Sequence, residues 1–569
     1  MGSFKCDLGD NELAIIRFEG SEGLSELFEY RLDVVSEKAN IDFDKLLGTN
    51  CSLSVASMYP GVKRFFNGVL VEAQWIGQEL DHYQYRLVLR PWLWLLTRTT
   101  NCRIFHEKSA PEIIQEVFAQ HGFAKSKPDA VGTHAVMEYC VQYRESDYAF
   151  VSRLMEEYGM FYYFDHTETE HTMVLGDSKS AHVNKAGGAT LSYYNTGQQG
   201  VQKEDSLGTW VTGRRFRSGK VAFKDYNYEE PTANMLAENE TGANYDNAKL
   251  ELYDYPGRYI NKSDGEALAK VKLEAEQALD KRSFAEGNAI TCCPGHLITL
   301  SKHGESSHNK EYVITRVSHL FRSSGYRSSG ASEGESYGGR YEFQPSDIPF
   351  RAPLVTPKPL VQGPQTAIVV SEVDKDCRIK VRFHWQRDND ESRYVRIRHS
   401  WSGNGWGHVM IPRIDMEVIV EHLEGDPDQP IITGTVYNAD NVPPYDLPGN
   451  KTISGVKSET YDGGGYNEFI FDDKGGSEEI RLHAERDMNV TIKNNRTEDI
   501  GKVWSATAGS KIVLTVGESS ITLEPTKITI KSPNVNIDAQ MTTKVTSGGT
   551  SDYTSTGPTT IVGAIVKIN

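Results

Sequence analysis

Apolar side chains recur at every second residue through much of this chain, as at Phe28, Tyr30, Leu32 and Val34 and again at Tyr83, Tyr85, Leu87 and Leu89. A period of two is that of a strand with one face on a core. Up to about residue 350 these strands alternate with a few well-punctuated helices. Ser109-Ala110-Pro111-Glu112 is a capping box with proline in the first turn, followed by the apolar face Ile113, Ile114, Val117 and Phe118 and a stop at Gly122. Ser146 caps a second predicted helix, with Phe150, Val151, Leu154, Met155 and Tyr158 as its buried stripe and Gly159 at its end. Ser263 and Glu266 form another capping box, with Leu268, Val271, Ala275 and Leu279 following at helical spacing. Trp92 to Leu96 is the longest purely apolar run near the start. It falls far short of the ~20 residues of a membrane helix and predicts a core or subunit contact.

The pattern then changes. Ser323 to Gly339 reads as a flexible loop, and Pro353, Pro357, Pro359 and Pro364 as a stiff extended linker, which puts a domain boundary near residue 360. From 365 onward come short alternating runs: Ile379, Val381, Phe383 and Trp385; Val395 and Ile397; Val409 and Ile411; Val418 and Val420; Ile431, Thr433 and Thr435. About five antiparallel strands with a tight acidic turn over Glu424–Asp428 predict a small Greek-key barrel of the OB type.

Beyond about residue 466 the apolar residues come in pairs or triplets two apart, recurring every seven to nine residues or so, a repeat and not a globular pattern. The groups are Ile480 and Leu482; Val490 and Ile492; Ile512, Leu514 and Val516; Ile521 and Leu523; Ile528 and Ile530; Val535 and Ile537. From Ser505 to Asn569, 21 of 65 residues are Ser or Thr, and Tyr553 is the one aromatic. Each short strand therefore offers apolar side chains on one side only, and cannot form a core alone. Burying a β-branched or leucine side chain is worth ~1.5 to 3 kcal/mol, so a monomer would leave on the order of 20 to 30 kcal/mol unrealised. The economical closed solution is three identical chains about one axis, with Ile512, Leu514, Val516, Ile521, Leu523, Ile528, Ile530, Val535 and Ile537 inward and Thr, Ser and Lys outward.

Composition narrows the function. With 569 residues the chain exceeds one core and splits into several domains. The formal charge of -17 repels phosphate backbones, so nucleic acid is not an expected partner. Residues 361–440 hold nine basic and thirteen acidic side chains, which argues against an oligonucleotide-binding barrel. The seven cysteines are odd in number and scattered, without CxxC spacing, as in a reducing compartment. The opening MGSFKCDLGDNELA has no basic and then apolar leader pattern, so residence in the cytosol is expected unless dedicated machinery moves the chain.

Several blocks in order carry a family resemblance. They are Tyr143-Arg144-Glu145-Ser146-Asp147-Tyr148-Ala149-Phe150 with Glu156-Glu157-Tyr158-Gly159-Met160-Phe161-Tyr162-Tyr163-Phe164; Lys380-Val381-Arg382-Phe383-His384-Trp385; Gly405-Trp406-Gly407; Ile411-Pro412-Arg413; and Leu423-Glu424-Gly425-Asp426-Pro427-Asp428-Gln429-Pro430. Gly464-Gly465-Tyr466-Asn467-Glu468-Phe469 and Leu482-His483-Ala484-Glu485-Arg486-Asp487 complete the set. Over essentially its whole length the chain resembles the VgrG spike proteins of type VI secretion systems, themselves similar to hub and spike proteins of contractile phage tails. The resemblance implies a mainly β chain with some helix: a β-barrel hub over 1–350, a Pro-rich linker over 351–364, an OB-fold collar over 365–445 and a trimeric β-helix or prism needle over 446–569. It further implies a homotrimer docked on an Hcp-like tube ring protein and a PAAR-repeat tip protein on Val566, Lys567, Ile568 and Asn569. Effector or adaptor proteins would be carried as cargo, and the spike, cytoplasmic before firing, would be secreted through the apparatus to puncture a target membrane. The alternative within the same resemblance is a spike of a phage tail or extracellular contractile particle. Some relatives add a C-terminal effector domain; here the sequence ends with the needle, so bound cargo is expected instead.

No enzyme is expected. Glu156-Glu157 and Glu478-Glu479 could be imagined as a glycosidase pair, but neighbouring surface acids are usually solvated. There is no Gly-x-Ser-x-Gly elbow. His384 reads as structural, and Glu424 to Pro430 fits no EF-hand. Phage relatives with a metal at the needle tip use paired histidines there, whereas the last histidine here is His483, so neither metal nor cofactor is expected.

Overall fold

The strand Glu311–Arg322 organises the first half of the chain by serving two barrels at once. Its C-terminal half pairs with Ala14–Gly23 (Arg316 opposite Gly23), and its N-terminal end pairs with His296–Ser301 (Val313 opposite Leu297). The computed structural model describes residues 2–8, 12–79, 81–129, 132–195, 204–242, 245–323, 335–388 and 390–568, in two units, Met1–Pro444 and Tyr445–Asn569.

In the first barrel the order runs from Ser3–Lys5 through Asn50–Ala56, Lys63–Glu79, His82–Arg90 and Glu29–Ser36 to Ala14–Gly23. Its alternating residues face the core as the period-two pattern requires: Phe28, Tyr30, Leu32, Val34, Tyr85, Leu87 and Leu89 are buried, and Tyr83 is half-buried. The second barrel closes on itself. From Glu311–Arg322 the pairings pass through Ser336–Pro345, Arg282–Gly287, Ser206–Leu207, Thr190–Tyr193 and His296–Ser301, back to the start. Leu191, Ile298, Leu300, Tyr312, Ile314 and Phe343 fill it. Ser336–Gly339, read from sequence as loop, belongs to a strand, because Ser336 pairs opposite Arg322; residues 324–334 of that loop lie outside the described residues.

The helix Ala110–Ala119 has the capping box and first-turn proline, ending ahead of Gly122. The helix Asp147–Glu157 is capped by Ser146, whose hydroxyl accepts from Ala149 N, and Gly159 follows it at φ +72°. Here the Arg-Glu-Ser-Asp block acts as a joint. Arg153 pairs with Glu145 at 2.9 Å, and Asp147 accepts from Arg103 (2.6 Å), Gln142 (2.8 Å) and Thr99 (3.0 Å) at the positive end of the helix. The helix Lys262–Gln277 departs from its predicted cap: Asn261 takes that place, without a side-chain cap bond, and Ser263 lies in the first turn. Its buried line is Gly265, Ala269, Leu273 and Ala275, with Leu268, Val271 and Leu279 at its margins. The helix lies close on a three-stranded sheet, and a Cβ at Gly265 would meet the Tyr259 ring at 2.6 Å. Trp92, Leu93 and Leu96 are buried in the hub, and Trp94 is flanked by the guanidinium groups of Arg90 and Arg98.

The proline-rich segment is a strap tied at both ends. Glu156 accepts from Val355 N (2.8 Å), Thr356 N (2.8 Å) and Thr356 Oγ1 (2.7 Å). Lys358, buried, donates to Asp426 (2.8 Å) and Asp428 (2.6 Å), while Asp428 also accepts from Val141 N at 2.7 Å. The acidic turn thus connects two antiparallel strands and clamps the strap and the Val136–Ser146 strand to the small barrel.

That barrel is a six-stranded sheet over residues 365–436 with Ala367, Val369, Ile379, Val381, Phe383, Val395, Val418, Val420 and Ile432 as its core. Three expectations need correction. One pairing, Val395–Ile397 with Pro430–Val436, is parallel. Ile431, Thr433 and Thr435 do not share a face, because a bulge skips Thr433: Ile432 lies opposite Val420 and Thr435 opposite Val418. Val409 and Ile411 belong to no strand and are exposed, since the chain leaves the barrel there.

The C-terminal unit contains two three-stranded antiparallel sheets, Ile453–Lys457 with Glu468–Asp472 and Glu479–His483, and Ile512–Val516 with Ser519–Glu524 and Lys527–Lys531. Gly517, at φ +54°, opens the two-residue turn of the second. Residues 484–511 and 532–568 carry no strand, so Val490, Ile492, Val535 and Ile537 are not in the strands their spacing suggested; among the described residues no strand pairs with them.

Candidate assembly surface

Register decides which face each residue of the second C-terminal sheet occupies. Ile512 lies opposite Leu523, and Leu523 opposite Ile528; Leu514 lies opposite Ile521, and Ile521 opposite Ile530. Paired residues share a face, so these six form two cross-strand rows of three, extended by Val516. The opposite face carries Val513, Thr515, Ser520, Thr522, Thr529 and Lys531. Among the described residues the apolar face is largely open: Leu514 is 57% exposed, Ile528 68% and Val516 83%, while Ile512 is half-buried. Water-facing aliphatic rows of this kind mark a surface built to meet another chain.

The first C-terminal sheet repeats the arrangement, with Ile480 and Leu482 from the sequence pattern joined by residues that the pattern did not single out. Val456, Phe469 and Leu482 form one cross-strand row, and Ser454, Phe471 and Ile480 the next. The five large apolar side chains among them are exposed, and the Phe469 and Phe471 rings meet at 5.1 Å. Ile470, on the other face, is buried. Phe469 and Phe471 carry the same two-apart signal as the later strands; it was hidden because Phe469 closes a glycine-rich motif. Val566, Lys567 and Ile568 are exposed and belong to no strand, and Asn569 lies outside the described residues.

The candidate chemical groups are occupied structurally. Glu156 holds the strap, Glu479 pairs with Arg481 at 2.7 Å, and His384 is within 3.1 Å of Thr366 Oγ1. A buried titratable cluster lies inside the hub, where Glu22 accepts from Tyr30 (2.8 Å), Arg64 (3.0 Å) and His319 (2.9 Å). Burial alone would raise the Glu22 carboxyl, but Arg64 and His319 outweigh it and hold it well below the usual carboxylate range. Among the described residues no group of His, Cys, Asp and Glu could hold a metal ion, and no helix is long and apolar enough to cross a membrane.

Comparison with known proteins places this architecture. The chain is 38% identical to the type VI secretion system spike protein VgrG1a of Pseudomonas aeruginosa over 509 residues, covering 87% of this chain and 79% of that protein. It belongs to the VgrG spike proteins. VgrG1c of the same organism is 37% identical over 87% of this chain and 70% of its own length. Family models match in order: the phage tail baseplate hub over 21–325, the type VI secretion system/phage-baseplate injector OB domain over 365–437, and the bacteriophage T4 gp5 C-terminal trimerisation domain over 454–564. The fold is also that of an Escherichia coli type VI secretion component, described as similar to the T4 tail proteins gp27 and gp5, with a TM-score of 0.54 and 18% identity over 76% of this chain and 99% of that one. The Francisella PdpA-VgrG complex matches with a TM-score of 0.58 and 9% identity over 93% of this chain and 88% of that one. The type VI relatives favour a secretion spike over a phage or extracellular particle. VgrG spikes are structural proteins, and the exposed aliphatic rows fall inside the trimerisation match.

Proposed function

We propose that three copies of this chain form a mechanical spike, with the aliphatic rows of Ile512, Leu514, Val516, Ile521, Leu523, Ile528 and Ile530, and beyond them Val535 and Ile537, turned inward along the needle. The hub over 1–350 docks on an Hcp-like tube ring, the 351–364 strap and 365–445 collar lead into the 446–569 needle, and Val566, Lys567, Ile568 and Asn569 seat a PAAR-repeat tip. The assembled spike waits in the cytoplasm, carries effector or adaptor proteins and punctures by stiffness, without a catalytic step. The observation that carries this reading is the uncovered two-row apolar face in the second C-terminal sheet.

Light scattering of the purified chain tests it. A mass of three times 63.7 kDa is expected, and Leu514→Asp is expected to abolish it. Each chain would lose about 2 kcal/mol of burial and gain a carboxylate facing two others in an apolar interior, where an unpaired charge costs several kcal/mol more. A stable monomer of the unmodified chain at micromolar concentration refutes the reading.

A further inference from the structure

Between the strands Val395–Ile397 and Glu417–His422 the chain leaves the small barrel and builds an apolar arm. Ser402 pairs opposite Gly407 and Gly403 opposite Trp406, closing a short hairpin at whose base the Trp401 and Trp406 rings meet edge to face at 4.9 Å. Glycine is required along it. Gly405 has φ +76°, Gly407 has φ +142°, and a Cβ at Gly403 would lie 2.3 Å from the Trp406 ring. The arm then runs back through Val409, Met410, Ile411 and Ile414, all exposed, while Pro412 between them is buried. Trp401 and Trp406, at 65% and 58% exposed, present an apolar display that is mostly open to solvent. A preorganised aromatic pair of this kind binds at low entropic cost.

We propose that this arm docks on the barrel of the neighbouring copy, making the collar interlocked and not merely juxtaposed; the inference rests on the trimeric reading above. Two observations identify the occupant. The trimerisation match begins at residue 454, about eighteen residues beyond the last barrel strand, which ends at Val436, so three collars are tethered within reach of one another. Charge is complementary as well. Residues 361–440 hold nine basic and thirteen acidic side chains, but 398–416 contributes Arg398 and Arg413 against Asp415 alone, so a slightly basic apolar arm faces an acidic barrel. Under threefold symmetry a head-to-tail contact closes after three steps.

The test is photocrosslinking in the full-length chain, with Trp406→p-benzoylphenylalanine and, as a second site, Met410→p-benzoylphenylalanine. Light scattering is run on the same samples. The expected result is a trimer giving at least tenfold more light-dependent interchain product than the dark control, with the crosslinked peptides in 361–397 or 417–440 of another chain. A trimer with no interchain product, or with crosslinks only between arms (398–416) or to a different protein, overturns the arm's assignment while leaving the spike reading intact. A monomer overturns the spike reading itself and the inference with it.

Discussion

Mild acid should loosen the hub through its buried histidines. His171 is buried among the rings of Phe28 and Phe164, with Nε2 accepting from Trp92 N at 2.8 Å and Nδ1 donating to Asn67 Oδ1 at 2.7 Å. A second proton would set two donors against each other. Burial pushes its pKa from 6.5 down to about 3, and burial likewise pushes His182, which donates to Gly295 O, down to about 4. For both, the folded value lies below the unfolded one. Their stability contribution is complete above the unfolded pKa and is lost as pH falls from about 6.5 toward the folded values. Each group costs about 1.4 kcal/mol per pH unit in that window, so the pair removes about 5 kcal/mol between pH 6.5 and pH 4.5. That is comparable with the whole stability of many domains, about 5 to 15 kcal/mol. His166, His319 and His422, also lowered by burial, act in the same sense; Glu26 and Glu145, raised by burial, act in the opposite one. The lowered carboxyls of Glu22 and Asp147 withdraw their support only below their ordinary values of 4.5 and 3.8. Guanidinium unfolding followed by tryptophan fluorescence at pH 7.0, 5.5 and 4.5, at one protein concentration, measures the slope. His171→Gln should remove about 1.4 kcal/mol per pH unit from it. Stability that stays level or rises between pH 6.5 and 4.5 would show that these histidines are not held neutral by the fold.

Two further predictions concern the strap. Lys358→Ala leaves Asp426 and Asp428 without their buried partner and should lower the thermal stability of the hub and collar by about 3 to 5 kcal/mol, whereas Lys358→Met with Asp426→Asn and Asp428→Asn should recover most of it. Glu156→Ala deprives Val355 N, Thr356 N and the Thr356 hydroxyl of their acceptor, worth about 1.5 to 3 kcal/mol of local opening. Limited proteolysis should then cut within 351–364 at least tenfold faster, while the core transition stays put.

Much of this molecule is written locally. Ser109 with Glu112, Ser146 and Gly159 set helix ends through hydrogen bonds and backbone preferences that span only a few residues, so reading them needs no knowledge of the fold. The two-apart aliphatic pairs of the C-terminal strands are likewise a property of the backbone's pleat, and they mark a one-sided sheet at Ile480, Leu482 and 512–530, though not at Val490, Ile492, Val535 or Ile537. What depends on distant partners stayed hidden. The prolines suggest an extended segment, but its fixing by Glu156, some 200 residues away, is invisible to any window. Thr433 alternates with Ile431 in the sequence, yet a bulge set by the neighbouring strand turns the pattern over. Gly265 looks like a poor helix residue until Tyr259 is laid against it. The sequence alone thus determined the helix ends and the apolar side of most strands, because those follow from periodicity and caps. The tertiary structure decided which sides are covered and which remain open, because cover comes from pairings between strands far apart along the chain.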